Sequence, residues 1–173
     1  MSIVEFKRIV VPVEFQTLDE DEISFGEVVT VGDKYRVAVG PTTLDALELA
    51  ARLARGGELW LVHAHLDFTG HATWMDTSVL SDLNSGARHH ASLVLEAVAT
   101  RHCPDVTLHY VIGPGSPLDF ILAVAEAKSA DAIVLAASSR SRLSRVFQGS
   151  TTDKLIRRAR CPVVVVPAPP PLD

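Results

Sequence analysis

Apolar residues along the 173-residue chain fall into two kinds of run that alternate. Short β-branched blocks read as buried strands: KRIVVPVEF (7–15), ELWLVHAH (58–65), DVTLHYVIG (105–113), DAIVLAA (131–137) and PVVVV (162–166). Segments with helical spacing separate them. TTLDALELAARLA (42–54) sets Leu44, Leu47, Ala51 and Ala54 on one face, and Gly56-Gly57 stops it. A long helix over 82–101 carries Leu83, Ala87, Ala91, Val94, Leu95 and Val98 in register. PLDFILAVAEAKS (117–129) and TTDKLIRRAR (151–160) supply two more. This alternation predicts right-handed crossovers and an α/β fold, an open, mostly parallel five-stranded sheet with helices on both faces. Such sheets bind ligands at the carboxyl ends of the strands, where the strand order reverses.

Residues 16–40 break the rhythm. Six acids precede Lys34 with no base among them, and EVVTVGDKYRVAV places Gly32-Asp33 as a two-residue turn. The segment reads as an inserted acidic β-hairpin outside the core, with 17–34 dispensable for folding. Its second arm, YRVAVGPTTLDA, reads equally as the strand that feeds the first helix. Residues 1–167 otherwise read as one domain, and 168–173 as a proline-rich tail.

Composition narrows the class. The chain is 47% apolar but only 6% aromatic, which suits an aliphatic core. A net charge of −5 argues against a general nucleic-acid or membrane-surface binder. No apolar run approaches a membrane span. The N-terminus mixes Glu5, Lys7 and Arg8 into its apolar residues and does not read as a signal peptide. Cys103 and Cys161 have no ligand-like spacing and read as reduced thiols of a cytoplasmic protein.

The charge is unevenly placed. Residues 138–160 hold seven Lys or Arg against one acid, Asp153, on an otherwise acidic chain. A basic island of this size suits a small anion better than a long polyanion. Arg157, Arg158 and Arg160 sit where they complement a helix dipole, whereas Arg140, Arg142 and Arg145 precede the helix. Thr42-x-x-Asp45, Ser116-x-x-Asp119 and Ser150-x-x-Asp153 each fit a capping box. The third differs in following Gly149. A glycine lets a phosphate approach the main chain, where the N–H groups of Ser150 and Thr151 point at it. Arg140 or Arg142 can reach in from the loop.

These segments resemble the universal stress protein family, small cytoplasmic α/β domains that are usually dimers. FKRIVVPVEF is similar to that family's opening strand. ALELAARLARGGELWLVHAH is similar to its first helix and second strand, Gly115-x-Pro117 to the Gly-x-Pro before its third helix, and GSTTDKLIRRARCPVVVVP to its closing helix and strand. The resemblance implies a Rossmann-like sheet of the adenine-nucleotide alpha hydrolase kind. Nucleotide-binding members carry Gly-x2-Gly-x9-Gly-[Ser/Thr] after the fourth strand, and here Ala136 and Ser139 stand at the first two glycine positions before Gly149-Ser150. Glu14 stands where the family has Asp. Residue by residue, the resemblance implies an adenosine side of Pro12, Val13, Glu14 and Ala64. It implies a phosphate side of Ala136, Ser139, Arg140, Gly149, Ser150 and Thr151. The implied ligand is ATP or AMP, with Mg²⁺ only alongside ATP. The implied partner is a second copy, paired through the last strand.

Other chemistry is thinner. His63, His65 and Asp67 fall on one side of an extended chain, a spacing that metal ligands share with ordinary strand ends. His89-His90 point different ways on a helix. No hydrolase elbow, zincin or Walker motif is present, so no catalytic residue and no metal site is assigned, and ATP hydrolysis is at most slow and incidental. Two classes follow. One is a nucleotide-binding stress-response regulator. The other is a nucleotide-free dimeric adaptor whose basic loop meets a protein partner or a small anion.

Overall fold

The computed structural model describes residues 5–18, 26–32, 35–65, 76–137 and 151–168. In chain order the elements are β1 (Arg8–Pro12), β2 (Phe15–Leu18), β3 (Glu27–Val31), β4 (Tyr35–Val39), α1 (Pro41–Leu53) and β5 (Glu58–His65). Then follow α2 (Thr77–His102), β6 (Thr107–Pro114), α3 (Pro117–Ala127), β7 (Ala132–Ala136), α4 (Thr151–Arg158) and β8 (Val163–Val166).

The five strands expected from the β-branched runs form one parallel sheet in the order β6-β5-β1-β7-β8. Its two faces bury separate cores, because side chains alternate along each strand. Ile9, Val11, Leu59 and Leu61 pack with Leu47, Ala50, Val94, Leu95 and Val98 of α1 and α2. Val10, Val62, Ile133 and Leu135 pack with Leu118, Ile121, Val124 and Leu155 of α3 and α4.

Residues 16–40 depart from the expected detached hairpin. They supply a second, antiparallel sheet in the order β2-β4-β3, with Phe15–Leu18 as an unforeseen third strand. Val31 pairs with Tyr35, so three residues rather than two connect the arms. Gly32 opens that connection at φ +62, a conformation glycine adopts without strain. β4 is both the second arm and the strand that runs into α1, which unites the two readings of YRVAV. Val29, Val31, Val37 and Val39 line one face of this sheet and are buried in the same core as α1 and α2. Alternation alone buries them, so the segment is a structural part of the fold.

The caps also differ. α1 starts at Gly40 followed by Pro41, with Thr42 and Thr43 buried inside the helix, so the Thr42 capping box does not form. Ser116 holds the N-cap position of α3 without a side-chain bond to the backbone. Its intended partner Asp119 instead pairs with Arg158 at 3.0 Å. α2 begins earlier than its apolar register suggests because Asp76 caps it, accepting from the Ser78 N–H at 2.9 Å. Leu80 is the buried residue of that end, while Leu83 is 43% exposed. Among the described residues no helix is long and apolar enough to cross a membrane.

Candidate functional site

From β1 the chain builds β5 and β6 on one side and then β7 and β8 on the other. The strand order therefore reverses between β1 and β7, the position at whose carboxyl edge sheets of this kind hold ligands in a crevice. β1 pairs with β7 through Val10↔Ile133, and extending that parallel register three residues brings Val13 level with Ala136. Two positions drawn from distant parts of the sequence thus flank the reversal point. On the other side of β1, Pro12 is level with Val62, and the Val13 N–H donates to the Val62 carbonyl at 2.9 Å. Ala64 follows two residues later, half-buried near the end of β5. Glu14 is exposed just past Val13, which is itself 2% exposed. Pro12, Val13, Glu14, Ala64 and Ala136 are thus gathered at one edge.

Ala136 meets one requirement for replacing a glycine. Among the described residues the only non-glycine positive φ angles are at Asp105 and Ser129, so Ala136 sits in ordinary strand conformation. Alanine there brings no backbone strain, and Ala136 packs half-buried against the α1–α2 core. Thr151 is the first residue of α4 and is exposed. Ser139, Arg140, Gly149 and Ser150 lie outside the described residues, as do Arg142, Arg145 and Asp67.

His63 holds this edge together. Its Nδ1 lies 2.9 Å from the Val13 carbonyl oxygen. A carbonyl only accepts, so Nδ1 carries the proton and donates, leaving Nε2 with a lone pair. Burial pushes the His63 pKa below its ordinary 6.5; the bond to Val13 works the other way, and the nearby His65 lowers it further. The neutral ring stacks on Phe15, with centroids 4.1 Å apart and planes 13° apart. Phe15 was read as the end of the first strand. Its place on β2 depends on a pairing with Val39 that no local pattern announces. Among the described residues no three His, Cys, Asp or Glu side chains converge on a metal position.

The three arginines in the described half of the basic island are ion-paired. Arg157 pairs with Asp153 at 3.1 Å on α4, Arg158 with Asp119, and Arg160 with Glu126, the last two carboxylates belonging to α3. Arg158 and Arg160 thus link α4 and the residues just after it to α3 across the surface, while Arg157 pairs within α4. Two cavities among the described residues lie away from the carboxyl edge. One, of about 450 Å³, sits by the ends of α1 and α2 at the amino edge and includes Glu48, Arg101 and His102. The other, of about 320 Å³, lies between α3 and the α4–β8 connection beside Cys161.

Comparison with known proteins agrees with this architecture. Residues 37–167 match the Universal stress protein family, a stretch that starts within β4 and runs through β8. The chain is 38% identical over 64 residues to universal stress protein MJ0531 of Methanocaldococcus jannaschii, and the match covers 37% of this chain and 38% of that relative. The chain thus spans well under half the length of that relative. Among solved structures, the hypothetical protein MJ0577, whose biochemical function was assigned from its structure, superposes with a TM-score of 0.65 at 19% identity. That superposition covers 96% of this chain and 99% of the other. A universal stress protein in complex with cAMP superposes at 0.55 and 16% identity, over 94% of this chain and 98% of the other. Family match, strand order and core agree, and the chain belongs to the universal stress protein family.

Proposed function

We propose that this protein is a stress-response regulator that binds an adenine nucleotide, ATP with Mg²⁺ or AMP, in the crevice between β1 and β7. The observation that carries the reading is the strand-order reversal between β1 and β7, whose register at Val10↔Ile133, carried on, would bring Val13 level with Ala136. Pro12, Val13, Glu14 and Ala64 would meet the adenosine, with the exposed Glu14 carboxylate suited to accept from ribose hydroxyls. Ala136, Ser139, Arg140, Gly149, Ser150 and Thr151 would meet the phosphates, through backbone N–H groups at the start of α4 and the arginine charge. A related universal stress protein was solved with cAMP, an adenine nucleotide. In this reading occupancy changes shape or partners, turnover is slow at most, and the protein works in the cytoplasm.

β8 is proposed as the interface of a homodimer. It ends the sheet, and its four valines are all half-buried. The Ile133 N–H donates to Pro162 and the Ala137 N–H to Val166. Parallel alternation then turns the amides of Val163 and Val165 toward the open edge. A second copy related by two-fold symmetry would satisfy them.

The test is thermal unfolding with ATP and Mg²⁺, AMP or adenosine, together with analysis of small molecules released on denaturation. Concentration-dependent stabilisation or a co-purifying adenine nucleotide is the expected result. An unmoved melting temperature and a clean extract would favour the nucleotide-free dimeric adaptor. The feature on that side is that Ala136 and Ser139 stand at the first two glycine positions of the nucleotide motif.

A further inference from the structure

The small sheet and α2 meet along about three turns of helix. At one end Tyr35 of β4 lies against His90, with ring centroids 4.6 Å apart. At the other, Glu27 of β3 meets Arg101 and His102. His102 closes that end with both ring nitrogens. Nε2 lies 2.6 Å from Oε2 of Glu27, and Nδ1 lies 3.1 Å from Oε1 of Glu48 on α1. A carboxylate only accepts, so both bonds form only when both nitrogens carry protons. A neutral ring would donate once and turn its remaining lone pair onto the other carboxylate. The Glu27 and His102 side chains are only 17% and 19% exposed, so solvent screens the pair weakly.

Glu27 shares a rung of the small sheet with residues at the carboxyl edge. Glu27 pairs with Val39, and Val39 pairs on its other side with Phe15. Side chains on one rung project to the same face, so the three form a row with the fully buried Val39 in the middle. Phe15 is the ring stacked on His63, which in turn bonds Val13.

We propose that protonated His102 is a pH-dependent clamp fixing the β2–β4–β3 sheet to α1 and α2, and that its release loosens the Glu27–Val39–Phe15 row that reaches the candidate site. The clamp itself needs no ligand; only its effect on nucleotide affinity rests on the adenine-site proposal. The charged neighbours among the described residues can be named. α1 presents Glu48, with Arg52 at 3.6 Å from it, and Arg55. α2 adds Arg101, β3 adds Glu27, and the turn after α2 adds Asp105 and the neutral thiol of Cys103. The amino-edge cavity borders His102 and exposes it to solvent protons.

Burial alone would lower the His102 pKa, but hydrogen bonds to Glu27 and Glu48 and their charges outweigh it and hold it above 6.5. Burial would raise Glu27, but the bonds and charges of His102 and Arg101 outweigh that and hold it below 4.5. The His102 contribution is therefore whole below pH 6.5 and lost as pH rises through its higher folded value. The Glu27 contribution is whole above pH 4.5 and lost as pH falls through its lower folded value. The clamp contributes in full between 4.5 and 6.5 and opens as pH rises through the raised His102 value.

The experiment uses the full ligand-free chain. The His102 ring proton is followed by NMR from about pH 5.5 to about pH 8.5, spanning the ordinary histidine range. Amide exchange, corrected for its intrinsic pH dependence, is read in parallel. His102 should titrate above 6.5, and protection of Glu27–Val31 should fall through the same midpoint while β1 and β5 hold. The fall should be about tenfold for each unit by which His102 is raised. His102→Gln should abolish the step. Glu48→Gln should shrink it, since an amide N–H can donate to the neutral ring. A His102 midpoint at or below 6.5, or protection of β3 indifferent to that midpoint, overturns the clamp. Should the His102 variant fail to fold, the wild-type titration and the Glu48 variant still decide. None of these readings uses nucleotide, so failure of the clamp and failure of the adenine site are separate results.

Discussion

The Nδ1–H of His63 donates to the carbonyl oxygen of Val13 over 2.9 Å, tying the carboxyl end of β5 to that of β1. This bond spans 50 positions of sequence and lies one residue past the end of β1. Burial, with the ring stacked on Phe15 rather than in water, holds His63 neutral against the opposing pull of that bond.

Acid should therefore find His63 first. Its pKa is below 6.5 in the fold, so the unfolded chain takes up the proton first and the His63 contribution declines as pH falls through 6.5. His63→Phe should flatten that acid-side decline, while losing about 1 kcal/mol at neutral pH for the missing hydrogen bond. Urea titrations of both proteins across the acid range would measure it. An unchanged acid profile would show that His63 is not a buried neutral histidine.

Nucleotide binding should depend on the backbone at the start of α4. Gly149→Val would place a branched side chain where a phosphate is proposed to approach while leaving the capping-box hydroxyl of Ser150 in the sequence, so ATP-induced stabilisation should vanish. Ser150→Ala should also lower baseline stability by about 1 kcal/mol, as lost caps do. Arg140→Ala should weaken ATP more than adenosine, since only ATP offers charge for it to meet. Calorimetric titration with both ligands compares the two. Equal losses would remove Arg140 from the phosphate side.

Dimerisation should fail when the open edge of β8 loses a donor. Val165 pairs with Leu135, yet its own amide points away from β7. Val165→Pro should leave the β7 ladder standing and break pairing with a second copy. Light scattering should fall from about twice 18.7 kDa to one chain mass, by the two-fold symmetry of such an edge. A wild type that is monomeric at micromolar concentration sinks this interface.

Thiol chemistry should report the core. Cys103 is 3% exposed behind α2, and burial, aided by Glu48, pushes its thiol up to about 12. Thiolate is the reactive form, so Cys103 should resist a disulfide reagent at mildly alkaline pH in the native protein. It should react freely once unfolded. Rapid native labelling at Cys103, located by peptide mass, would mean that the α1–α2 core opens readily.

Most elements were legible because their information is local. The period-two and helical runs mark β5 at 58–65 with both ends placed, and they mark α3, β7 and β8 to within a few residues. They imply the parallel sheet, since alternating strands and helices of those lengths have few other ways to bury both faces. The candidate positions at the edge come from the family resemblance; the residues alone point only to the Gly149-Ser150-Thr151 stretch and the arginines before it.

Tertiary structure decided what partners chose. That 15–18 is a strand, that Val29 and Val31 join the α1–α2 core, and that Phe15 stacks on His63 all depend on pairings with residues far along the chain. The Thr42 box yielded to Gly40-Pro41 because β4 delivers the chain already extended, so the helix begins at the proline and buries both threonines. His102 carried no local signal at all. Its proton is set by Glu27 and Glu48, 75 and 54 positions away, and a charge held by two distant carboxylates exists only once the chain has folded.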